Sequence, residues 1–282
     1  YDAYIYRRQA YEAELEQEAM DTLRNAEYLG ARTAIEEAER ILDRAVLEPV
    51  AQDLRARVFE LGEALYQSIR MQLSVPRYQA IGSDRGANLD LIDLPLNNRL
   101  WLEKQFAELL DKNAERALLE GIDGILHWTD PGPGGFYDDL GSLTRQPHLV
   151  RSADYYPDPE FRSEPLNAFE YYPGWRSSWC YYAETRYESP LKLHYDGLDP
   201  HAAYQVTVVY AGDSMERDIR LTADDLEVHP FTAKPRIPRP LTFDVPVEAT
   251  ADGDLTLAWT QQPGRGGNGR GCQVAEVWLM RK

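Results

Sequence analysis

Apolar residues recur every three or four positions through the first part of the chain and every second position through the last part, so the sequence divides by period before anything else is known of it. The clearest helical stripe is Val50, Leu54, Val58, Leu61, Leu65 and Ile69, which draws one apolar face of the kind that packs on a core. Ala34, Ile35, Ala38, Ile41 and Leu42 form a shorter stripe before it. The opening stretch from about Tyr6 to Tyr28 places Glu12, Glu14, Glu16 and Glu18 on a face expected to be solvated, with Gly30 as its C-terminal stop. Pro76 ends the third helix, and a connector from Ser74 to Asn98 leads to a fourth, from about Arg99 to Leu119, with Trp101, Phe106 and Leu109 directed to the core. Four helices with short links and no fixed-period repeat predict a helical domain over residues 1–120.

Residues 121–168 are punctuated by Gly, Pro, Asp and aromatic residues and read as a junction. Alternating patterns follow. Leu191, Leu193 and Tyr195 alternate with Lys192 and His194, and Tyr204, Val206, Val208 and Tyr210 alternate with Gln205, Thr207 and Val209. Further strands are expected at Asp218 to Leu221, Glu227 to Phe231, Leu241 to Val245, Asp254 to Trp259 and Gln273 to Met280. The turns Ala211-Gly212-Asp213 and Ala251-Asp252-Gly253 separate some of them. The expected fold is therefore α+β: an N-terminal helical segment followed by an antiparallel β-sandwich of jelly-roll type over residues 169–282.

Composition narrows the partners. The chain has 282 residues, 43% of them apolar, enough for two modest domains. Its net charge of -17 is spread evenly, -8 over residues 1–120 and -9 over the remainder. No basic face offers itself to nucleic acid or an anionic membrane, whereas neutral sugars meet no repulsion. No run approaches the roughly 18 apolar residues of a membrane span. The chain opens on Tyr1 rather than Met, so a processed product or a fragment is expected, which leaves room for an export signal ahead of it. Cys180 and Cys272 match no metal-ligand spacing and leave two readings open, one disulfide or two buried thiols.

Candidate chemistry concentrates between Phe169 and Tyr182, where seven of fourteen residues are aromatic. Rings at this density serve either as the core of a β-domain or as a surface that stacks on a sugar. Trp175, Trp179 and Tyr181 are the rings expected to stack, with Arg176, Asn268 and Arg270 as hydrogen-bonding partners. In a continuous strand Trp175 and Trp179 share one side and Tyr182 takes the other. The loop from Trp128 to Gly141 carries Asp130, Asp138 and Asp139, hard oxygen ligands of the kind calcium takes, and Trp128 and Tyr137 as rings able to cover a sugar. Gly264 to Gly271 lacks the Lys-Ser/Thr of a phosphate-binding loop and reads as a hairpin presenting Arg265, Asn268 and Arg270. Lys234 to Pro240 has polyproline spacing and reads as a stiff connector. The five histidines show no zinc-binding pairing, and Ser177 and Ser178 stand in no Gly-x-Ser-x-Gly elbow. Glu184, Glu188 and Glu276 lie near the aromatic strands and supply carboxylates for a paired-acid glycosidase site.

Pro190 to Tyr210 resembles the paired strands of galactose-binding-like and malectin-like sandwiches, and Gln273 to Leu279 is similar to their closing strand. The β half also resembles the C-terminal region of large secreted bacterial proteins that carry glycosidase-like domains, and the helices are similar to the segment that follows the catalytic barrel of some glycoside hydrolases. The resemblance implies a non-catalytic carbohydrate-binding region of a larger, secreted or periplasmic, polysaccharide-processing protein, with a glycan as partner. A glycoside hydrolase or polysaccharide lyase using paired carboxylates, and a structural sandwich without ligand, are the alternatives.

Overall fold

The helical period of the first part folds as α1 (Asp2–Arg24), α2 (Ala26–Leu29), α3 (Ala31–Leu47), α4 (Gln52–Ile69), α5 (Arg99–Leu110) and α6 (Glu115–Leu126). They belong to the first of two units in the computed structural model, Tyr1–Trp128 and Thr129–Lys282. The structure describes residues 1–282 except 71–88, 90, 91, 152–161, 171, 173, 187, 214–216, 263 and 265–268. In α3, Ala34 and Ala38 have no exposed surface, and such small side chains let α1 approach closely with Leu15, Ala19 and Leu23 buried. Gly30, at φ +87°, separates α2 from α3 as expected of a helix stop.

Three expectations for this unit are corrected. The fourth helix is two helices, interrupted between Leu110 and Glu115, although Trp101, Phe106 and Leu109 are buried as read. Glu12 is buried, not solvated: it takes hydrogen bonds from Arg8 and from the Leu96 N–H at 2.7 Å, while Glu16 accepts from the Asn98 N–H at 2.9 Å. These carboxylates tie the connector onto α1, a role that a periodicity argument cannot register. Among the described residues the stripe on α4 is left uncovered: no residue of the helix is buried, and Leu61, Leu65 and Ile69 are 48%, 46% and 57% exposed. The helix is attached near its N-terminal end, where Arg55 pairs with Asp93 and Val50, Leu54 and Val58 are half-buried.

The second unit is an antiparallel sandwich. Its strands are β1 (Phe136–Asp139), β2 (Leu166–Phe169), β3 (Tyr181–Arg186), β4 (Leu191–Tyr195), β5 (Tyr204–Tyr210), β6 (Asp218–Ala223), β7 (Leu226–Ala233), β8 (Pro240–Asp244), β9 (Leu255–Gln261) and β10 (Arg270–Arg281). One sheet runs β2-β3-β10-β5-β8 with β1 also on β10, and the other runs β4-β9-β6-β7. The chain passes repeatedly from sheet to sheet, as in a jelly roll. β1 and β2 lie within the stretch read as a junction.

Between the sheets sits one core that includes Tyr195, Val206, Val208, Leu257, Trp259, Val274, Val277 and Leu279. β4, β5 and β9 send alternate residues inward as their patterns predict. β10 does so with one interruption. A bulge between Val274 and Glu276 sets two residues against one on β5, so Val274 and Val277, three apart, both reach the core. Glu276 and Trp278 are thereby turned to the opposite face. Cys180 and Cys272 are both free and buried, and burial pushes the Cys272 thiol up to about 12.

Candidate functional site

The aromatic stretch is not a continuous strand. Ser177–Cys180 forms a 3-10 turn between β2 and β3, so Trp175 and Trp179 do not share a strand face. Trp175 is half-buried and its ring packs against Tyr172 at 4.3 Å between centroids with a 36° tilt. This pair lines a cleft of about 470 Å³ whose other residues are Ala211-Gly212-Asp213 and Lys234 to Pro238. The two rings with Pro235, Ile237 and Pro238 give it an apolar lining; Asp213, Lys234 and Arg236 supply its charges.

The polar base is held from behind. Lys234 Nζ donates to the Ala211 carbonyl at 3.0 Å and to Gln273 Oε1 at 2.9 Å, and lies 3.8 Å from Asp213 Oδ1. Burial pushes the Lys234 ammonium down to about 8 against the pull of Asp213. Burial alone would raise Asp213, but Arg217 and Lys234 outweigh it and hold the carboxyl below its ordinary value. Arg217 Nη2 stands 3.2 Å from Asp213 Oδ2 and Arg270 Nη1 stands 3.6 Å from it. Gly212 lets the chain approach this cluster, because a β-carbon there would stand 2.3 Å from Gln273 Oε1, at a φ of +86°.

The residues expected to bind divide as follows. Trp175 lines the cleft, and Arg270 stands behind it, joined to Glu184 at 2.9 Å, to the Tyr182 hydroxyl and to Asp213. Trp179 is a correction: at 6% exposure, with its indole N–H donating to Glu276 Oε2 at 2.7 Å, it anchors the turn and offers no stacking face. Arg176 likewise points into the fold, donating to Glu276 Oε1 at 2.7 Å. Tyr181 is 49% exposed and pairs across strands with Phe169, their rings 4.8 Å apart. Tyr137 donates its hydroxyl to Glu276 Oε1 at 2.6 Å and rests on Trp278. Trp128 belongs to the helical unit, where its ring meets Trp101 edge-on at 5.1 Å. Asn268 and Arg265 lie outside the described residues.

The three aspartates expected to take calcium are not gathered. Asp138 and Asp139 are successive on β1 and turn to opposite faces. Asp138 is fully buried and accepts from the Tyr195 hydroxyl at 3.0 Å and His148 Nδ1 at 2.9 Å. Asp139 is paired with Glu276 across β10, and Asp130 accepts from the Gly132 N–H at 2.8 Å. Among the described residues no group of three or more His, Cys, Asp or Glu is arranged to hold a metal ion.

Tyr172, Asp213, Lys234 and Arg236 were not legible as site residues. Lys234 to Pro240 reads as a stiff connector and Ala211 to Asp213 as a turn; only the sandwich topology brings them beside Trp175. The one available signal was the pairing of a rigid, proline-rich loop with cationic side chains.

No family model matches the chain, and no curated protein matches it. Among solved structures it is similar to a chain in the plant peptide RALF23 complex with FER and LLG2, at 12% identity over 52% of this chain and 46% of that one, TM-score 0.33. It is also similar to a family 35 carbohydrate binding module from Clostridium thermocellum, at 13% identity over 42% of this chain and 92% of that one, TM-score 0.27. A third likeness is to CBM35 from Paenibacillus barcinonensis, at 11% identity over 52% of this chain and 98% of that one, TM-score 0.30. The chain thus spans less than half the length of the first. Scores at this level carry no argument about a ligand, so the cleft's own residues decide what it can bind. Among the described residues no helix is long and apolar enough to cross a membrane.

Proposed function

We propose that the β unit is a carbohydrate-binding module whose ligand sits in the Trp175 cleft. The observation that carries this reading is the juxtaposition of the partly exposed Tyr172–Trp175 ring pair with Asp213, Lys234 and Arg236 in one cleft of about 470 Å³. A pyranose presents an apolar C–H face and a fringe of hydroxyls, and needs rings beside polar groups already fixed in place. Lys234, whose three N–H groups go to the Ala211 and Asp213 carbonyls and Gln273 Oε1, fixes the Asp213 loop, and Arg217 fixes the Asp213 carboxylate. A role as a non-catalytic accessory region of a larger secreted polysaccharide-processing protein fits this site. The carboxylates near the aromatic strands favour binding over hydrolysis. Glu276 is fully buried with both oxygens hydrogen-bonded, and Glu184 is held by Arg270 and Gln273.

The full chain on a glycan array, with turnover of the bound glycans assayed in parallel, tests the reading. Binding without turnover is expected. Trp175→Ala should then weaken binding by about 1–3 kcal/mol, the range of ring stacking measured for bases on aromatic side chains. Unchanged affinity in that variant would remove the cleft from consideration, and turnover would move the chain to the hydrolase or lyase class.

A further inference from the structure

One carboxylate holds the turn that carries Trp175. Glu276 Oε1 accepts from Arg176 Nη1 at 2.7 Å, Ser178 Oγ at 2.8 Å and the Tyr137 hydroxyl at 2.6 Å, and Oε2 accepts from Trp179 Nε1 at 2.7 Å. Three of these donors stand within four successive residues, immediately after Trp175. The fourth comes from β1, whose next-but-one residue, Asp139, lies opposite Glu276 in the strand pairing and is itself only 7% exposed. Two acids therefore share one water-poor site beneath the turn, and the binding ring is attached to what they hold.

We propose that Glu276 and Asp139 form a pH-responsive latch for the Trp175 turn: Glu276 fastens the turn to the sheet, and ionisation of Asp139 beside it loosens the fastening. The bearing on ligand affinity rests on the reading of the cleft as a glycan site; the latch itself does not. The charged groups facing Asp139 are Glu276 from β10, Arg145 from the loop after β1 and Arg176 from the turn, with the ionisable Tyr137 on its own strand. Burial and then Glu276 raise the Asp139 carboxyl to about 6, against the opposing pull of Arg145, Arg176 and the Gly141 N–H. A carboxyl raised in the closed state favours that state when protonated. Its contribution is present in full below 3.8, the ordinary value, and is lost as pH rises through about 6. The latch is accordingly tight in mildly acidic solution and looser at neutral pH.

The test uses the full chain and no ligand. Acrylamide quenching of Trp175, taken as the difference between the protein and its Trp175→Phe variant, is measured at pH 5 and pH 8. Amide exchange of residues 176–180, corrected for the intrinsic pH dependence, is measured beside it. Quenching is expected to rise with pH, and exchange across the turn to quicken roughly tenfold, because the lower pH lies one unit under the carboxyl's value of about 6. Asp139→Asn should hold the tight behaviour at both pH values. Ser178→Ala, which removes one donor and leaves both carboxylates, should loosen the turn at both. A turn whose quenching and exchange are the same at pH 5 and pH 8, or an Asp139→Asn variant that keeps the full pH response, overturns the latch. Glycan binding with a pH-indifferent turn defeats the latch alone. A pH-responsive turn in a protein that binds no glycan supports the latch and defeats the glycan reading instead.

Discussion

Glu276→Ala is expected to destabilise the β unit by about 3–5 kcal/mol, the cost typical of removing one partner from a buried charge pair. The Arg176 side chain is 14% exposed and meets a carboxylate with no exposed surface. Without that carboxylate a guanidinium, the Ser178 and Tyr137 hydroxyls and the Trp179 indole N–H each lose an acceptor in a site that water barely reaches. Asp139 can recover part of the charge balance, since it already interacts with Arg176, but β1 holds its backbone in register with β10. Hydrogen exchange of the β10 amides in the full chain reads the loss locally. The double variant Glu276→Leu with Arg176→Met is expected to lose less than Glu276→Ala, because it leaves no unpaired charge. A double variant as unstable as the single one would assign the stability to the packing of the turn and not to the ion pair.

The sandwich was legible in the sequence because β4 and β9 alternate strictly between buried and less buried residues, as a half-buried strand does, and β5 keeps most of that alternation in its residue types although both of its faces are buried. β10 was found but its bulge was not. Val274 and Val277 break the period of two, and nothing in the residues themselves says whether such a break ends a strand or bends it. That hidden bulge also conceals the role of Glu276, which it turns to the face where the aromatic turn lies. β1 and β2 were missed for a different reason: each has four residues, and four residues among Gly and Pro carry too little pattern to count.

The helical half shows the reverse error. The α4 stripe is the longest regular run of apolar positions read from the chain, yet it is left uncovered among the described residues, whereas the weakly patterned α1 buries Tyr4, Leu15, Ala19 and Leu23. Periodicity reports which face of a helix is apolar and is silent on whether a neighbour is there to cover it. At the site, the aromatic cluster supplies Trp175 and Tyr172, and charges and prolines from sequence-distant loops complete the cleft. Trp179 and Arg176 looked like ligand-binding groups from composition alone; one carboxylate about a hundred residues away decides otherwise.

Trp259→Ala should cost the sandwich about 3–5 kcal/mol, as large-to-small changes of fully buried aromatic residues do. Trp259 has no exposed surface and pairs across strands with Leu191 and Leu221, so nothing nearby is free to fill the space it vacates. It also heads a buried hydrogen-bond chain between the two sheets. Its indole N–H donates to the Tyr210 hydroxyl at 3.1 Å, that hydroxyl donates to His229 Nε2 at 2.7 Å, and His229 Nδ1–H donates to the Pro230 carbonyl at 2.8 Å. The Pro230 carbonyl can only accept, so Nδ1 carries a proton, and in the neutral imidazole Nε2 is the acceptor for the Tyr210 hydroxyl. Burial lowers the His229 pKa below 6.5, so its contribution to stability is present above that value and is lost as pH falls below it. Trp259→Phe keeps most of the ring but removes the donor, and is expected to cost about 1–3 kcal/mol. Denaturant unfolding of the full chain, followed by exchange of the β9 amides, separates the two effects. An alanine variant no worse than the phenylalanine one would mean that the hydrogen-bond chain, and not the volume of the ring, holds the sheets together.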